Sequence, residues 1–262
     1  LYGYGADMPE IMELADRYDL IVVEDVAQAI GVKVGEKMAG AYGDFSVFSF
    51  HAQKNISTLG EGGVLVTRDK EFARLIPMIR HNGHCGFTSQ RNDYWIPAMG
   101  NVDLPEQNNE LIWPNNFCLG EIQCALGAKL LDRVVELNQE KRRRALQFID
   151  AFVDHPQIEF HREDSDRHNY HLLAARLAVG NRDDFIRLMA SEHRIQCVVQ
   201  YYPLYRYPFY KKLGLGSARC SNTDKFFDSM ISFPFHHSLD NSQLDQIRSA
   251  AINVLSRVSA GN

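Results

Sequence analysis

Apolar residues recur along this chain with two different periods. From Asp7 onward Met8, Ile11, Met12, Ala15 and Tyr18 return at three- and four-residue intervals, the spacing of one helix face. Leu20-Ile-Val-Val-Glu24 is instead short, continuous and β-branched, which predicts a strand buried on both faces. Phe45–Phe50 and Gly63–Thr67 predict two further strands, and Asp69 opens a helix that runs to Arg80. Strands that alternate with helices predict an α/β sheet, with functional groups near the strand ends.

Between residues 83 and 115 the periodicity vanishes and Gly, Asn, Pro and Trp dominate. The aromatic and imidazole side chains there (His84, Phe87, Tyr94, Trp95, Trp113) favour a functional segment over a plain linker. A long helical pattern follows from Leu119 to Val153, ended by Pro156. Beyond it the pattern predicts strands near Ile158–His161, Tyr170–Leu177 and Gln196–Val199, and helices near Arg182–Glu192, Thr223–Ser229 and Ser242–Val258. The economical division is a domain over 1–153 that includes the long helix, and a smaller α/β domain over 154–262.

Composition narrows the function classes. A chain of 262 residues with 45% hydrophobic content can bury a sizeable core. A net charge of -5 provides no electrostatic footprint for nucleic acid. The basic run Lys141-Arg-Arg-Arg144 has Glu136 and Glu140 beside it on a helical pattern and reads as a solvated face. There is neither an apolar run long enough to span a membrane nor a signal-peptide pattern. The five cysteines make no closely spaced ligand pairs, which fits a reducing, cytoplasmic compartment. His81, His84 and Cys85 have metal-like spacing but no second ligand cluster, so no metal is expected. Leu1 stands where a start methionine would, just ahead of a helix, and the expectation is the interior of a longer protein.

The chemistry centres on Lys54, which lies between an apolar strand and the glycine turn Gly60-Glu-Gly-Gly63. Upstream, Asp25 ends another apolar strand, where a carboxylate is costly unless paired. Pyridoxal phosphate (PLP) chemistry needs a lysine to form an imine and a carboxylate to keep the pyridine nitrogen protonated. Gln28 lies one helical turn beyond Asp25 and can reach the same cofactor edge. Ser49 ends a strand five residues before Lys54, placed to donate to a phosphate.

These elements resemble the DegT/StrS group of fold-type I PLP enzymes, which aminate keto sugars. Glu24-Asp25-Val-Ala-Gln28 is similar to that family's Glu-Asp-x-Ala-Gln element, and Ser49-Phe-His-Ala-Gln-Lys54 with Gly60–Gly63 to its Ser-Phe-x-x-x-Lys and Gly-(Asp/Glu)-Gly-Gly signature. Arg80-His-Asn-Gly83 and Asn116-Phe-Cys-Leu-Gly-Glu-Ile-Gln123 resemble two further elements, in the same order. The resemblance implies a three-layer α/β/α large domain, incomplete at its N-terminus, plus a smaller C-terminal α/β domain. It implies PLP bound by Lys54, Asp25, Gln28 and Ser49, with Lys54 catalytic and Asn116 reaching the phosphate in a homodimer with a shared active site. An amino acid, glutamate in the family, would supply the amino group to a keto sugar, usually nucleotide-linked. His51, His84, Tyr94 and His171 are candidate substrate contacts, each histidine being open to a packed or surface reading as well.

The chain departs from the family pattern in three places. The family's upstream phosphate loop and ring-stacking aromatic are absent, Cys118 stands where an Arg is usual, and the segment from Gly83 to Asn115 is longer and more aromatic. Two alternatives follow. A sugar dehydratase of the same family would carry histidine in place of Lys54, and a truncated fragment could be non-catalytic.

Overall fold

The computed structural model describes residues 1–86, 100–107, 109–178 and 181–259. Tyr94, with Phe87 and Trp95, lies outside the described residues. The chain is mixed α/β and divides into two compact units. One comprises Asp7–Ala27 and Gly35–Arg133 and contains Lys54; the other comprises Leu1–Ala6, Gln28–Val34 and Val134–Asn262.

The Lys54 unit is organised by a three-stranded sheet in the order Val23–Asp25, Phe45–Ser49, Gly63–Thr67. The first pair is parallel and the second antiparallel. Helices Met8–Tyr18, Lys70–Arg80 and Glu121–Leu131 accompany it. The helix entry at Asp69 follows from local chemistry: its Oδ1 accepts the N–H groups of Glu71 (2.8 Å) and Phe72 (2.9 Å), two donors a helix start leaves unpaired.

The strand expected over Leu20–Glu24 is shorter and far less covered than its sequence suggests. It spans Val23–Asp25, and Ile21 and Val23 are 76% and 60% exposed. Among the described residues Val23–Asp25 pairs with one neighbouring strand, and Glu24 is the one buried residue in it. The helical pattern from Leu119 to Val153 resolves into two helices, Glu121–Leu131 and Val134–Asp150, parted at Asp132 and Arg133.

The second unit holds an antiparallel sheet ordered Ile158–Phe160, Leu173–Leu177, Met230–Phe233. All four residues of Met230–Phe233 are buried. Four residues interrupted by a serine carry too little periodicity to announce a strand. Conversely, the strand expected over Gln196–Val199 reduces to one bridge, in which Val198 and Ser232 exchange backbone hydrogen bonds of 3.0 and 2.8 Å. Helices Val134–Asp150, Arg182–His193 and Asn241–Ser259 pack a core around Phe148, Phe152, Phe185, Phe233 and Leu255.

Two buried asparagines tie the early segments into this unit. Asn169 Nδ2 donates to the carbonyls of Gln28 and Ile30, both at 3.1 Å, and Asn138 Nδ2 donates to Ile30 at 2.8 Å. Beside them His168 is buried, stacks on Tyr170 with centroids 4.0 Å apart, and accepts the Tyr170 N–H at Nδ1.

Burial pushes the His168 imidazole down to about 4, so it is neutral in the folded protein. The unfolded chain takes up that proton near pH 6.5, so the folded state should lose stability as pH falls from about 6.5 through about 4. Denaturant unfolding at pH 7 and pH 5 should show this loss, and His168→Gln, which cannot titrate, should show a smaller one.

Candidate active site

The parallel ladder between Val23–Asp25 and Phe45–Val47 sets the geometry. Val23, Glu24 and Asp25 pair with Phe45, Ser46 and Val47, and the Val26 N–H continues to the Val47 carbonyl at 2.9 Å. Two parallel strands end on the same side, so Asp25 and Ser49 both terminate at the carboxyl edge of the sheet. In open α/β sheets that edge is where ligands bind.

Asp25 is exposed there. Its Oδ1 accepts the Ala27 N–H at 3.0 Å, and its other oxygen has no partner among the described residues. Ser49 is half-buried; its Oγ accepts the His51 N–H at 3.3 Å, which leaves the hydroxyl proton to give.

Lys54 rides on a loop closed at its base. The Phe50 N–H donates to the Gly62 carbonyl and the Ala52 N–H to the Gly60 carbonyl, both at 2.7 Å. Within the loop the Thr58 N–H returns to the Phe50 carbonyl at 3.0 Å, and the Lys54 N–H to that of His51 at 2.9 Å. Phe50, Ile56 and Thr58 are buried, and Thr58 Oγ1 donates to the Glu61 carbonyl at 3.2 Å. The glycine run has a steric cause. A Cβ at Gly62 would run into Thr58 Oγ1, and one at Gly63 would lie 2.8 Å from the Phe48 carbonyl oxygen. Lys54 itself is half-buried, and its Nζ makes no hydrogen bond or ion pair with any described residue.

The remaining expected residues are distributed as follows. Asn116 bridges His81 in antiparallel fashion and its Oδ1 accepts the Cys118 N–H at 3.1 Å, while the Phe117 N–H donates to Arg80 at 2.8 Å. The Arg80–Gly83 and Asn116–Cys118 elements, far apart in sequence, are therefore neighbours in space. His51 Nδ1 accepts the Gln53 N–H at 3.1 Å, and its Nε2 lies 3.6 Å from Glu61. His84 stands edge-on to His81 at 4.6 Å.

Gln28 and His171 belong to the other unit. The Gln28 amide is clamped: Oε1 accepts the Tyr2 N–H at 2.7 Å and Nε2 donates to Tyr201 Oη at 2.8 Å. Because a backbone N–H can only donate, Tyr2 fixes which end of the amide is oxygen. His171 is buried; its N–H donates to Asn169 Oδ1 at 2.9 Å and its carbonyl accepts Lys141 Nζ at 3.2 Å.

Sequence reasoning treated Glu24 only as part of a motif. Its carboxylate is buried and accepts three backbone N–H groups, from Tyr42 and Gly43 at 2.7 Å and from Gly40 at 2.8 Å. The available signal was an acid inside a β-branched strand, since such a group must find donors. Tyr2, Tyr201 and Asn169 carried no comparable signal, because their roles depend on contacts distant in sequence.

The donor set of the Lys54 unit fits pyridoxal phosphate. It presents an amine with no described partner, a carboxylate oxygen left open at a strand end, and a hydroxyl with a proton to donate at the same sheet edge.

Known proteins resemble this chain in sequence and in fold. The model of the DegT/DnrJ/EryC1/StrS aminotransferase family matches residues 1–251. A Campylobacter jejuni protein named UDP-4-amino-4,6-dideoxy-N-acetyl-beta-L-altrosamine transaminase is 29% identical over 99% of this chain and 65% of its own length. GDP-perosamine synthase of Caulobacter vibrioides is 28% identical over 97% of this chain and 64% of its own. The solved structure of Helicobacter pylori PseC, an aminotransferase involved in the biosynthesis of pseudoaminic acid, aligns with a TM-score of 0.81 and 26% identity over 98% of this chain and 65% of that one. This chain thus spans about 65% of the length of the curated relatives it matches, and it has their α/β aminotransferase fold.

The close approach at Gly62 makes a specific demand on the loop. Gly62→Ala should lower stability by roughly 1–3 kcal/mol, the usual cost of overpacking. Thermal unfolding would detect it as a drop of several degrees, and an unchanged midpoint would contradict the packing of Thr58.

Proposed function

Because the chain belongs to the DegT/DnrJ/EryC1/StrS aminotransferase family, we propose that it transfers an amino group from an amino acid to a keto sugar, with pyridoxal phosphate as cofactor. The observation that carries this reading is that Asp25 and Ser49 end at one carboxyl edge, with the Lys54 amine, which has no partner among the described residues, on the closed loop that follows. When bound, the cofactor supplies an electron sink for the negative charge that develops on the amino acid's α carbon.

The chain's own residues supply the rest. Lys54 Nζ would hold the cofactor covalently and, once the incoming amino acid displaces it, would serve as base and then acid in the proton shift away from the α carbon. The open oxygen of Asp25 would pair with the ring nitrogen and keep its proton in place. Ser49 Oγ donates to the phosphate, and Asn116 serves the phosphate of a second subunit in a homodimer. Glutamate, which the family resemblance implies, is the proposed donor, and a nucleotide-linked keto sugar is the proposed acceptor, in line with the nucleotide sugars in the relatives' names. Lysine at position 54, where the family's dehydratases carry histidine, favours amino transfer over dehydration.

Lys54→Ala should abolish both the absorbance band that appears when pyridoxal phosphate is added and amino transfer from glutamate to a keto sugar. The loop's backbone hydrogen bonds do not involve the Lys54 side chain, so the melting temperature should stay close to that of the parent protein. Undiminished turnover in the variant would overturn the assignment.

A further inference from the structure

Glu24 stands next to Asp25 but faces the other side of the sheet, since neighbouring side chains on a strand alternate. The strand that carries both is three residues long and, among the described residues, pairs with a single neighbour. The residue after the strand, Val26, is buried and its N–H donates to the Val47 carbonyl at 2.9 Å, whereas Val23 and Asp25 of the strand itself are exposed. Glu24 is its one buried side chain, at 6% exposure.

That side chain is bonded at both oxygens. Oε1 accepts the N–H groups of Tyr42 and Gly43 at 2.7 Å each, and Oε2 accepts that of Gly40 at 2.8 Å. Hydrogen bonds to an ionised carboxylate are shorter and stronger than neutral ones. The turn that donates them is braced in its own right, because Ser46 Oγ donates to the Gly40 carbonyl at 2.9 Å. Three such bonds fix the rotation of the strand about its axis at Glu24. Rotation fixed there also fixes the direction in which the Asp25 side chain leaves the opposite face. The Ala27 N–H then occupies one Asp25 oxygen and leaves the other open.

We infer that Glu24 is a positioning residue of the site, aiming the open Asp25 oxygen at the ring nitrogen of the cofactor through its bonds to the 40–43 turn. This inference rests on the proposed role of Asp25.

A ligand pair separates positioning from mere stability. The purified full chain is titrated with pyridoxal phosphate and with the analogue in which carbon replaces the ring nitrogen, and binding is followed by absorbance and fluorescence. The parent protein should prefer pyridoxal phosphate, and Asp25→Asn should remove that preference. In Glu24→Gln one carboxylate oxygen becomes an amide nitrogen turned toward a backbone donor. The preference should then shrink by roughly tenfold, the size of one hydrogen bond to a charged group, while affinity for the carbon analogue stays within about twofold. Equal weakening of both ligands means a purely structural role and overturns the inference, as does an unchanged preference. If the parent protein itself does not distinguish the ligands, the proposed role of Asp25 fails and the positioning role falls with it. Should Glu24→Gln not fold, Ser46→Ala loosens the same turn more gently. It must shrink the preference in the same direction, and an unchanged preference in that variant overturns the inference equally.

Discussion

The parallel pairing of two short strands is the constraint from which the site follows. Antiparallel pairing of Val23–Asp25 with Phe45–Ser49 would send their carboxyl ends to opposite sides of the sheet and separate Asp25 from Ser49. In parallel register the two ends share an edge, and the chain leaving Ser49 enters the Lys54 loop directly. Parallel pairs are slightly weaker per residue and need long crossovers. Here the crossover from Asp25 to Phe45 includes the turn whose N–H groups satisfy Glu24, so the connection that permits the pairing also braces it.

Much of the site was legible because its chemistry is local. Lys54, Asp25 and Ser49 each stand at the end of an apolar run, and strand ends are where α/β folds place functional groups. The glycine run after Lys54 marked a turn from sequence, and the structure supplies the reason in the contacts at Thr58 and Phe48. What sequence could not convey was coverage. A β-branched run states that residues suit a strand, not that something lies over them, and Ile21 and Val23 are exposed despite their composition. The break at Asp132 and Arg133 was invisible for a related reason: both residues are compatible with a helix, and the apolar pattern continues on either side.

The second unit shows how long-range polar contacts organise segments that sequence places elsewhere. Leu1–Ala6 and Gln28–Val34 are early in the chain, yet they cluster with residues beyond Val134. Asn169 accounts for much of this, since one buried amide serves two carbonyls and the His171 N–H at once. A buried amide satisfied on every side is strongly specifying, because any shift of its partners strands a polar group. A separate pair of contacts fixes the Gln28 side-chain amide between Tyr2 and Tyr201, so its orientation is a property of the fold.

The closed loop around Lys54 separates scaffold from reagent. Its shape comes from backbone bonds at its base, from the buried Ile56 and Thr58, and from two positions where no side chain fits. None of these involves the lysine's own amine. A fold organised in this way can exchange the reactive group at position 54 while keeping the frame that presents it. Chemical novelty at this site therefore requires little structural change, whereas a methyl group placed a few residues away disturbs the frame itself.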